Sequence, residues 1–461
     1  MNTRSLVKKA IPKNLFKTVE PYGHLAEAVL LNTINGFPAK GMKVIGVTGT
    51  NGKTTTTFLI HKMLVEAGYK VGVMTTVGWG VGNDIKPQLH HMTNVSVPEM
   101  MQRLKYMKQQ GVEWLVLETT SHALAQNRVW SVPYSISVMT NITHEHLAYH
   151  GTFERYRDAK RKMFKMANAN KKGLQAGIIN AEDPSAELFA SDVAHPITYG
   201  VEQGDVKATD VKLTPKGVSY KTRVGDTQYN ITCQLPGSFN VYNSLAAVCV
   251  GHAVGLTAQQ VEQGIAALAS VEGRMTTIDE GQDFGVIVDY AHSPDSFEKL
   301  FKDLRPTIKG KMIVAFGSLG GGDKGKRPLQ GELAGKYADE VIICMEDDRQ
   351  EDPDQIMEDI AVGAEKAGKT RDKDLFLIHD RPEAMQFAVN QASLFVSSVS
   401  VGDSAGSTAG AAGAPTASTA GRTTSRATSM NPSCSSAATL IPRTHIQPRE
   451  ARCALESGAM G

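Results

Sequence analysis

The sequence lacks the features that mark membrane, secreted and zinc-knuckle proteins. No run in its 461 residues reaches the roughly 18 consecutive apolar residues of a membrane helix. The five cysteines are far apart and none forms a CxxC pair, which argues against a disulfide framework and a structural zinc site. The net charge of +2 is too small to indicate nucleic acid or a membrane surface as a main partner. The basic first residues have no continuous apolar core and no small-residue cleavage site, so we predict no signal peptide and a cytoplasmic protein.

The composition, with 41% hydrophobic and 21% charged residues, is typical of a globular protein long enough for two or three domains. From residue 43 to about 392, short apolar strands alternate with helices, which indicates a mostly parallel sheet with helices on both faces. Residues 201–235 instead show short alternating strands with turn signals, and we predict an antiparallel appendage there. A second run of strands and helices begins near Gly273, where we place a domain boundary.

The composition changes abruptly at about Ser393. Ser, Ala, Gly and Thr dominate from there on, and Lys373 is the last lysine of the chain. Such a stretch buries too little apolar surface to offset the entropy lost on ordering, so we predict a disordered tail over residues 393–461. Because the break falls inside an expected strand–helix unit, we hypothesise a frameshift, a sequencing error or a degraded gene, which resequencing of the DNA would test.

The strongest local signal is a buried strand that leads into a glycine-rich turn and then a helix, KVIGVTGTNGKTTTTFLI. Gly49 and Gly52 let backbone N–H groups approach phosphate oxygens, and the helix N-terminus adds its dipole. We expect Lys53 to reach the terminal phosphates and the Thr54 hydroxyl to bind Mg²⁺. The spacing is shorter than G-x-x-x-x-G-K-[ST], since Val47 stands at the first glycine position. The alternative is a glycine turn without a ligand, and the order of strand, loop, lysine and helix argues against it.

Further polar residues follow the ends of later strands. Glu118 ends an apolar strand, where a carboxylate can bind Mg²⁺, although it could also cap a helix or face solvent. Lys160, taken alone, indicates a solvated helix face. Clustered imidazole and carboxylate groups could suggest zinc, but no H-E-x-x-H pattern and no nearby cysteine support it. This cluster consists of His144, Glu145, His146 and His150.

Eight segments in this order resemble the Mur ligases, and among them the UDP-N-acetylmuramoyl-tripeptide synthetases, which add the third residue of the peptidoglycan stem. The resemblance runs from about Lys43 to about Ala392, and the joint occurrence of the segments is highly specific. The segments are TGTNGKTTT, ETTSHALAQNRV, TNITHEHLAYHGTFERYRDAK, GSFNVYNSLAA, EGRM, DYAHSPDSFEKL, GGDKGKRP and EDDRQEDP. The resemblance implies an ATP-dependent carbon–nitrogen ligase that activates a muramoyl-peptide carboxylate as an acyl phosphate, which an amine then attacks.

The resemblance also implies roles for individual residues. The residues implied in catalysis are Lys53, Lys160, His146 and Arg274. The residues implied in ATP binding are Gly49, Thr50, Asn51, Gly52, Lys53, Thr54, Thr55, Asn240, Asn243, Arg274 and Asp289. The implied metal ligands are Thr54, Glu118, His146 and, if carbamylated, Lys160. The residues implied near the substrates are Thr93, Thr120, Ser121, Gln126, Arg128 and Arg349.

The implied fold is a P-loop-type parallel-sheet ATPase domain over residues 43–272, followed by a smaller, incomplete Rossmann-like α/β domain over 273–392. A short basic lead precedes them at 1–42, and the disordered tail follows. The implied cofactors are ATP and Mg²⁺, and the implied partners are small-molecule substrates. We expect a monomer that neither binds nucleic acid nor spans a membrane.

Three departures from the family pattern keep alternatives open. The short lead stands where the family has a UDP-binding domain. Folylpolyglutamate synthetases also lack that domain, so a folylpolyglutamate-type ligase is one alternative. The D-N-P-R motif is replaced by residues 346–349, EDDR, which leaves the added amino acid open, and Glu145 and Ala148 replace common aspartates. The expected G-K-G-H-E segment is absent after the last helix. This favours a second alternative, a catalytically impaired nucleotide-binding homologue.

Overall fold

A computed structural model describes residues 13–88, 93–214, 216–403 and 437–442. The helices, numbered α1 to α13 in chain order, are Lys13–Ile34, Lys53–Glu66, Val97–Gln109, Ser121–Ala125, Leu147–His150, Phe153–Ala169, Ala186–Ala190, Phe239–Val254, Ala258–Ala266, Pro294–Leu304, Lys326–Tyr337, Pro353–Lys366 and Arg381–Asp403. The strands, β1 to β18, are Lys43–Thr48, Val71–Met74, Gly78–Val81, Asp84–Pro87, Trp114–Glu118, Tyr134–Met139, Ala176–Asn180, His195–Gly200, Val206–Lys207, Thr209–Thr214, Gly217–Val224, Thr227–Cys233, Thr276–Ile278, Phe284–Asp289, Ile313–Phe316, Glu340–Cys344, Leu375–Ile378 and Ala437–Pro442. Over these described residues, no helix combines the length and apolar character needed to cross a bilayer.

The larger sheet has nine strands in the order β4-β3-β2-β5-β1-β6-β7-β8-β9. Its strands are parallel except for β3 and β4, which extend one edge as an antiparallel hairpin. Strands β5, β6 and β7 are buried at every residue, because helices cover both faces of the sheet. The predicted parallel α/β sheet is confirmed. Its register pairs Val47 with both Glu118 and Val138, so the carboxyl ends of β1, β5 and β6 meet at one edge.

Two hydrophobic cores lie on opposite faces of this sheet, because alternate side chains of a strand point in opposite directions. Ile45 and Val47 of β1 pack in the core that contains Leu59 and Ile60 of α2 and side chains of α8 and α9. Val44 packs in the other core, with side chains of α3 and α6. Helix α2 is therefore held firmly against the sheet, and its first turn stays at the carboxyl end of β1.

A three-stranded antiparallel sheet, β10-β11-β12, is the appendage predicted within residues 201–235. Buried and exposed residues alternate along β12, as expected for a sheet with one face on a core and one face in solvent. Its buried side chains, including Tyr220, Tyr229 and Ile231, join the core of α2, α8 and α9.

The second α/β unit contains a six-stranded sheet in the order β13-β14-β18-β15-β16-β17. Strands β15, β16 and β17 are parallel, and β18 pairs antiparallel with both β14 and β15. This corrects the prediction of a disordered tail for two of its segments. Helix α13 continues to Asp403, and Ala437–Pro442 forms a strand inside the sheet. The rest of the predicted tail lies outside the described residues.

The predicted basic lead contains a helix, α1, that the sequence patterns did not indicate. Helix α1 is attached to the loops of the larger unit by side-chain hydrogen bonds. Asn127 Nδ2 donates to the Pro21 carbonyl at 3.1 Å, and Ser131 Oγ donates to Asn32 Oδ1 at 2.5 Å. The described part of the lead is therefore docked beside the segment that carries several predicted substrate residues.

Candidate active site

The glycine-rich loop adopts a backbone that requires glycine at two positions. Gly49 has a φ of 149°, and a Cβ there would lie 1.9 Å from Thr140 Oγ1. Gly52 has a φ of 82°, and a Cβ there would lie 2.4 Å from Asn243 Oδ1. No L-residue with a side chain fits either position without a shift of its neighbours. The loop backbone thus lies close to the end of β6 and to α8, and its approach to phosphate oxygens stays a prediction.

The first turn of α2 leaves backbone donors available at the loop. The first intrahelical bond runs from Thr56 N to Gly52 O at 2.9 Å, so the amides of residues 53–55 have no partner within the helix. The loop itself is anchored, since Thr50 N donates to Asn141 O at 2.7 Å and Asn51 N donates to Asn141 Oδ1 at 2.9 Å. A helix N-terminus of this kind binds anions. Lys53 folds over it, with its Nζ donating to Thr50 O at 2.7 Å.

Glu118 lies beside the loop, at the carboxyl end of β5, and is 1% exposed. The Thr54 hydroxyl donates to its Oε2 at 3.1 Å. Thr76, which follows β2, binds both oxygens of the same carboxylate, from its N–H to Oε2 and from its hydroxyl to Oε1, each at 3.0 Å. The structure therefore unites the two predicted metal ligands Thr54 and Glu118. It adds Thr76, which no sequence motif had singled out.

Lys160 is buried and points into the back of the loop. Its Nζ donates to Gly49 O at 2.6 Å and lies 4.6 Å from the centre of the Tyr156 ring. The solvated helix face suggested by the local sequence alone is wrong, because Lys160 is 2% exposed. Burial, reinforced by the charge of Lys53, lowers the pKa of Lys160 well below its usual value. The amine is therefore displaced toward its neutral form.

The histidine-rich segment after β6 brings His146 and Glu145 to the same edge. His146 has a φ of 56° and a side chain that is 44% exposed, and its Nε2 lies 3.6 Å from Glu145 Oε2. Partial burial lowers the pKa of His146 to about 4, and the charges of Lys160 and Lys53 act in the same direction. A neutral imidazole is the form that can bind a metal.

Asn240 and Asn243, which the resemblance implies in ATP binding, lie beside the loop at the start of α8. Thr56 Oγ1 donates to Asn243 Oδ1 at 3.2 Å, and Asn243 Nδ2 donates to Asn240 Oδ1 at 2.8 Å. Asn240 Nδ2 in turn donates to Pro236 O at 2.7 Å. Both side chains are almost fully buried, so this chain of hydrogen bonds fixes α8 relative to the first turn of α2.

Residues of the second α/β unit close over the loop. Arg274 Nη2 donates to Thr54 Oγ1 at 3.0 Å, and its guanidinium lies 4.4 Å from the centre of the Tyr290 ring. The Asp289 carboxylate accepts hydrogen bonds from Met275 N and from Ala291 N, each at 2.8 Å. Burial raises the pKa of Asp289 although the Arg274 charge opposes the shift. Of these two predicted ATP-binding residues, Arg274 thus reaches the phosphate loop, and Asp289 holds the backbone of the adjacent Met275.

Further contacts between the two α/β units involve residues to which the sequence assigned no role. Asn51 Nδ2 donates to Asp295 Oδ2 at 2.9 Å, and His292 Nε2 lies 2.8 Å from Glu145 Oε1. Asp295 and His292 lie in the segment DYAHSPDSFEKL, of which only Asp289 had been given a role. The presence of Asp295 and His292 in this family-like segment was the signal that could have identified them as site residues. Sequence order alone does not show which of its side chains faces the loop.

The predicted substrate residues form a second hydrogen-bonded group next to Glu118. The Thr120 hydroxyl donates to Asn94 Oδ1 at 2.9 Å, and Arg128 Nη1 binds the Asn94 carbonyl. Asn94 Nδ2 donates to the carbonyl of Glu118 at 2.8 Å. Asn94 was missed by the sequence argument although it follows the predicted Thr93. Further contacts of the group include Thr93 Oγ1 with Thr76 Oγ1 at 2.8 Å, Ser121 Oγ with His150 Nε2 at 3.0 Å, and Arg128 Nε with Gln126 Oε1 at 2.9 Å.

Arg349 lies apart from these two groups. Its side chain is 47% exposed, with Nε 3.6 Å from Asp347 Oδ2. Its loop rests on another glycine-rich loop, where Gly320 N donates to Asp347 O at 2.8 Å. Within the described residues, the ion pair of its side chain is with Asp347 of its own loop, so the role of Arg349 toward a substrate stays a prediction.

The fold and the loop geometry define a class of protein, a nucleotide-dependent α/β enzyme whose phosphate loop is closed by a second α/β unit. Residues 47–251 match the family model "Mur ligase middle domain", and residues 273–394 match "Mur ligase, glutamate ligase domain". The chain is 39% identical over 380 residues to UDP-N-acetylmuramyl-tripeptide synthetase of Roseiflexus sp. (strain RS-1), which covers 80% of the chain and 75% of that relative. It is 38% identical over 394 residues to a UDP-N-acetylmuramoyl-L-alanyl-D-glutamate–2,6-diaminopimelate ligase of Geobacillus thermodenitrificans (strain NG80-2), which covers 84% and 79%.

The chain belongs to the Mur ligase family, whose members are ATP-dependent acid–amino-acid ligases. A solved UDP-N-acetylmuramoyl-L-alanyl-D-glutamate–2,6-diaminopimelate ligase is 31% identical, with a TM-score of 0.53 and coverage of 76% of the chain and 71% of that structure. Folylpolyglutamate synthase of Mycobacterium tuberculosis, complexed with ADP, is 15% identical, with a TM-score of 0.66 and coverage of 82% and 89%. At that identity the second likeness shows a shared fold alone.

Proposed function

We propose that the protein activates the carboxylate of a muramoyl peptide with ATP and joins it to the amine of an amino acid, in peptidoglycan precursor synthesis. A carboxylate oxygen attacks the terminal phosphorus of ATP, and ADP leaves. The amine then attacks the carbonyl carbon of the acyl phosphate, loses a proton and displaces inorganic phosphate. The observation that carries this proposal is the line of contacts Arg274–Thr54–Glu118, which joins both α/β units at the phosphate loop.

The residues around the loop are suited to a magnesium ion. Mg²⁺ prefers oxygen ligands, and the buried Glu118 carboxylate and Thr54 hydroxyl supply two at the carboxyl edge of the sheet. We propose that Thr54, Glu118, His146 and a carbamylated Lys160 hold the metal sites. When bound, Mg²⁺ would neutralise charge on the transferred phosphoryl group.

The chain's own residues would stabilise and shield the reacting groups. Lys53 and Arg274 carry positive charge to the loop, where they would stabilise charge that develops on the phosphoryl oxygens. The contacts Asn51–Asp295 and Glu145–His292 would keep the second unit closed and exclude water from the acyl phosphate. The group around Thr93, Thr120 and Arg128 would hold the muramoyl peptide.

The lowered pKa of Lys160 supports carbamylation of its amine. Only an uncharged amine can attack carbon dioxide, forming a nitrogen–carbon bond as a proton leaves. Burial and the Lys53 charge both favour that uncharged form. The product carries a carboxylate-like group, which would offset the nearby positive charge and offer oxygen ligands. Carbon-13 NMR of the folded protein in ¹³C-labelled bicarbonate, with Lys160→Ala as the control, would detect the modification.

We further propose that residues 43–272 and 273–392 are the two domains of a cytoplasmic, monomeric enzyme. The matched regions 47–251 and 273–394 support this division, and analytical ultracentrifugation would test the monomer.

The proposed function is tested by measuring phosphate release with ATP, Mg²⁺ and each of several acceptors. Muramoyl dipeptide with and without its UDP group, and a folate, would each be combined with a panel of amino acids that includes diaminopimelate and lysine. We expect release that depends on both a muramoyl acceptor and an amino acid. Phosphate release with the folate as acceptor, but with no muramoyl acceptor, would favour a folylpolyglutamate-type ligase. ADP binding without acceptor-dependent phosphate release would favour an impaired homologue.

A further inference from the structure

The carboxylate of Glu118 is held by hydroxyl and amide donors from two sides. Thr54 approaches from the phosphate loop, and Thr76 approaches from the turn after β2. Thr76 is the only one of the two that binds both carboxylate oxygens. A carboxylate that must present a lone pair to a metal is oriented by such donors, and their loss typically weakens metal binding.

The donor directions can be assigned around this carboxylate. A threonine hydroxyl has one hydrogen to donate, and an ionised carboxylate only accepts. Since the Thr76 hydroxyl donates to Glu118, the 2.8 Å contact between Thr76 and Thr93 requires that Thr93 donates to Thr76. In the same way Thr54 donates to Glu118 and accepts from Arg274. The hydrogen bonds therefore run inward to Glu118, from Thr93 on one side and from Arg274 on the other.

This chain of hydrogen bonds, Thr93–Thr76–Glu118–Thr54–Arg274, connects three parts of the candidate active site. Thr93 belongs to the predicted acceptor region, Glu118 is the predicted metal ligand, and Arg274 comes from the second α/β unit. Because hydrogen bonds in such a chain polarise one another, we expect ligand contact at one end to change the strength of the bonds at the other.

We propose that Thr76 is a positioning residue that orients the Glu118 carboxylate for the metal and couples metal binding to occupancy of the acceptor region at Thr93. The proposal rests on the proposed function, because it takes Glu118 as a metal ligand and Thr93 as an acceptor contact. The proposal adds Thr76 to the candidate site as a residue that does not itself touch a reacting atom. It also states that acceptor binding at Thr93 strengthens metal binding at Glu118.

The neighbouring Thr75 shows that Thr76 is not needed to form the turn. The Thr75 hydroxyl donates to Gly78 O at 2.9 Å and accepts from Val77 N and Gly78 N at 3.2 and 3.0 Å. Thr75 thus stabilises the turn, whereas both polar contacts of Thr76 with Glu118 are directed to the candidate site. Two adjacent threonines, one structural and one positioning, form a matched pair for experiment.

The test measures binding of Mn²⁺, as a probe for magnesium, to the full chain with ADP by electron paramagnetic resonance. It compares the wild type with Thr76→Val, Thr76→Ser, Thr75→Val and Glu118→Gln, each with and without UDP-muramoyl dipeptide. We expect Thr76→Val to bind Mn²⁺ about 10- to 100-fold more weakly and Thr76→Ser to stay close to the wild type. Thr75→Val should lower the melting temperature but keep wild-type Mn²⁺ affinity.

The coupling is tested in the same measurements. In the wild type the acceptor should tighten Mn²⁺ binding by about fivefold or more, and this gain should disappear in Thr76→Val and in Thr93→Val. Wild-type Mn²⁺ affinity and coupling in Thr76→Val, with loss of binding in Glu118→Gln, would overturn the role of Thr76 alone. Equal Mn²⁺ affinity in the wild type and Glu118→Gln would instead overturn the proposed metal site and the inference with it.

Discussion

The end of the candidate site at the phosphate loop (the phosphate end) and the proposed amino-acid end at Arg349 (the amine end) are built differently. At the phosphate end, Thr54, Glu118 and Lys160 are buried and each is tied by hydrogen bonds to another element of the fold. At the amine end, Arg349 is half exposed and paired only loosely with Asp347 of its own loop. A side chain fixed by several elements costs little to order when a ligand binds, whereas an exposed one must lose rotamer freedom. The comparison predicts large, specific effects of substitution at the first end and smaller ones at the second.

The largest expected effect is that of Lys53→Ala. Removing the lysine at the phosphate loop should lower kcat on the order of 10³-fold, because a preorganised charge at the phosphoryl group is lost. Steady-state phosphate release checks the rate, and circular dichroism checks that the fold is intact. Lys62→Ala is the matched control, since Lys62 lies on the same helix but pairs with Glu66 at 2.5 Å. Wild-type turnover in Lys53→Ala would contradict the assigned role.

Arg274→Ala should have the next largest effect. The contact of Arg274 with Thr54 joins the two units at the loop, so its loss should lower kcat on the order of 10²-fold. The control is Arg305→Ala, which removes an ion pair with Asp339 within the second unit. If both variants lose the same activity, the effect is one of stability and not of the interdomain contact.

Glu145→Gln tests the closure between the units and its dependence on pH. Burial alone would raise the pKa of the Glu145 carboxyl. The hydrogen bond with His292 and the positive charges of His292, His146 and Lys53 instead hold this pKa well below its usual value of 4.5. A depressed carboxyl pKa contributes stability above the unfolded value, and that contribution is lost as the pH falls toward the folded one. We expect Glu145→Gln to cost about 1.5–3 kcal/mol at pH 7, with a difference that shrinks below about pH 4.5. Denaturant unfolding at several pH values checks this, and a pH-independent difference would refute it.

Arg349→Ala should have the smallest effect. Because the side chain is half exposed, its loss should raise KM for the amino acid by about tenfold or less and leave ADP binding unchanged. Isothermal titration with ADP and initial rates at varied amino-acid concentration separate the two. A collapse of kcat on the scale of Lys53→Ala would erase the contrast between the two ends.

The parts of the phosphate end differ in how far the sequence predicted them. The order strand, glycine turn, lysine and helix is local, so β1, the loop and α2 follow from periodicity and glycine chemistry alone. The packing of Thr76 and Asn94 around Glu118 depends on strands β2 and β5 being neighbours, which no local pattern states. The local pattern was misleading at Lys160, since a lysine on an amphipathic helix is usually solvated and only the position of Gly49 shows otherwise.

The tail gives the complementary lesson. Its composition departs from that of the preceding residues, but composition cannot show that Ala437–Pro442 pairs with β14 and β15. Strand pairing over such a separation is a non-local event, and a short apolar segment gains its stability only from the two strands that flank it.

The sequence by itself determined the class of fold, the phosphate loop and the family, because each rests on short-range order and residue type. The tertiary structure alone decided which side chains meet: Thr76 and Thr54 on one carboxylate, Lys160 against the loop, and Arg274 across the gap between the units. Those meetings depend on strand order and on the docking of separate units, and burial at one of them lowers the pKa of Lys160.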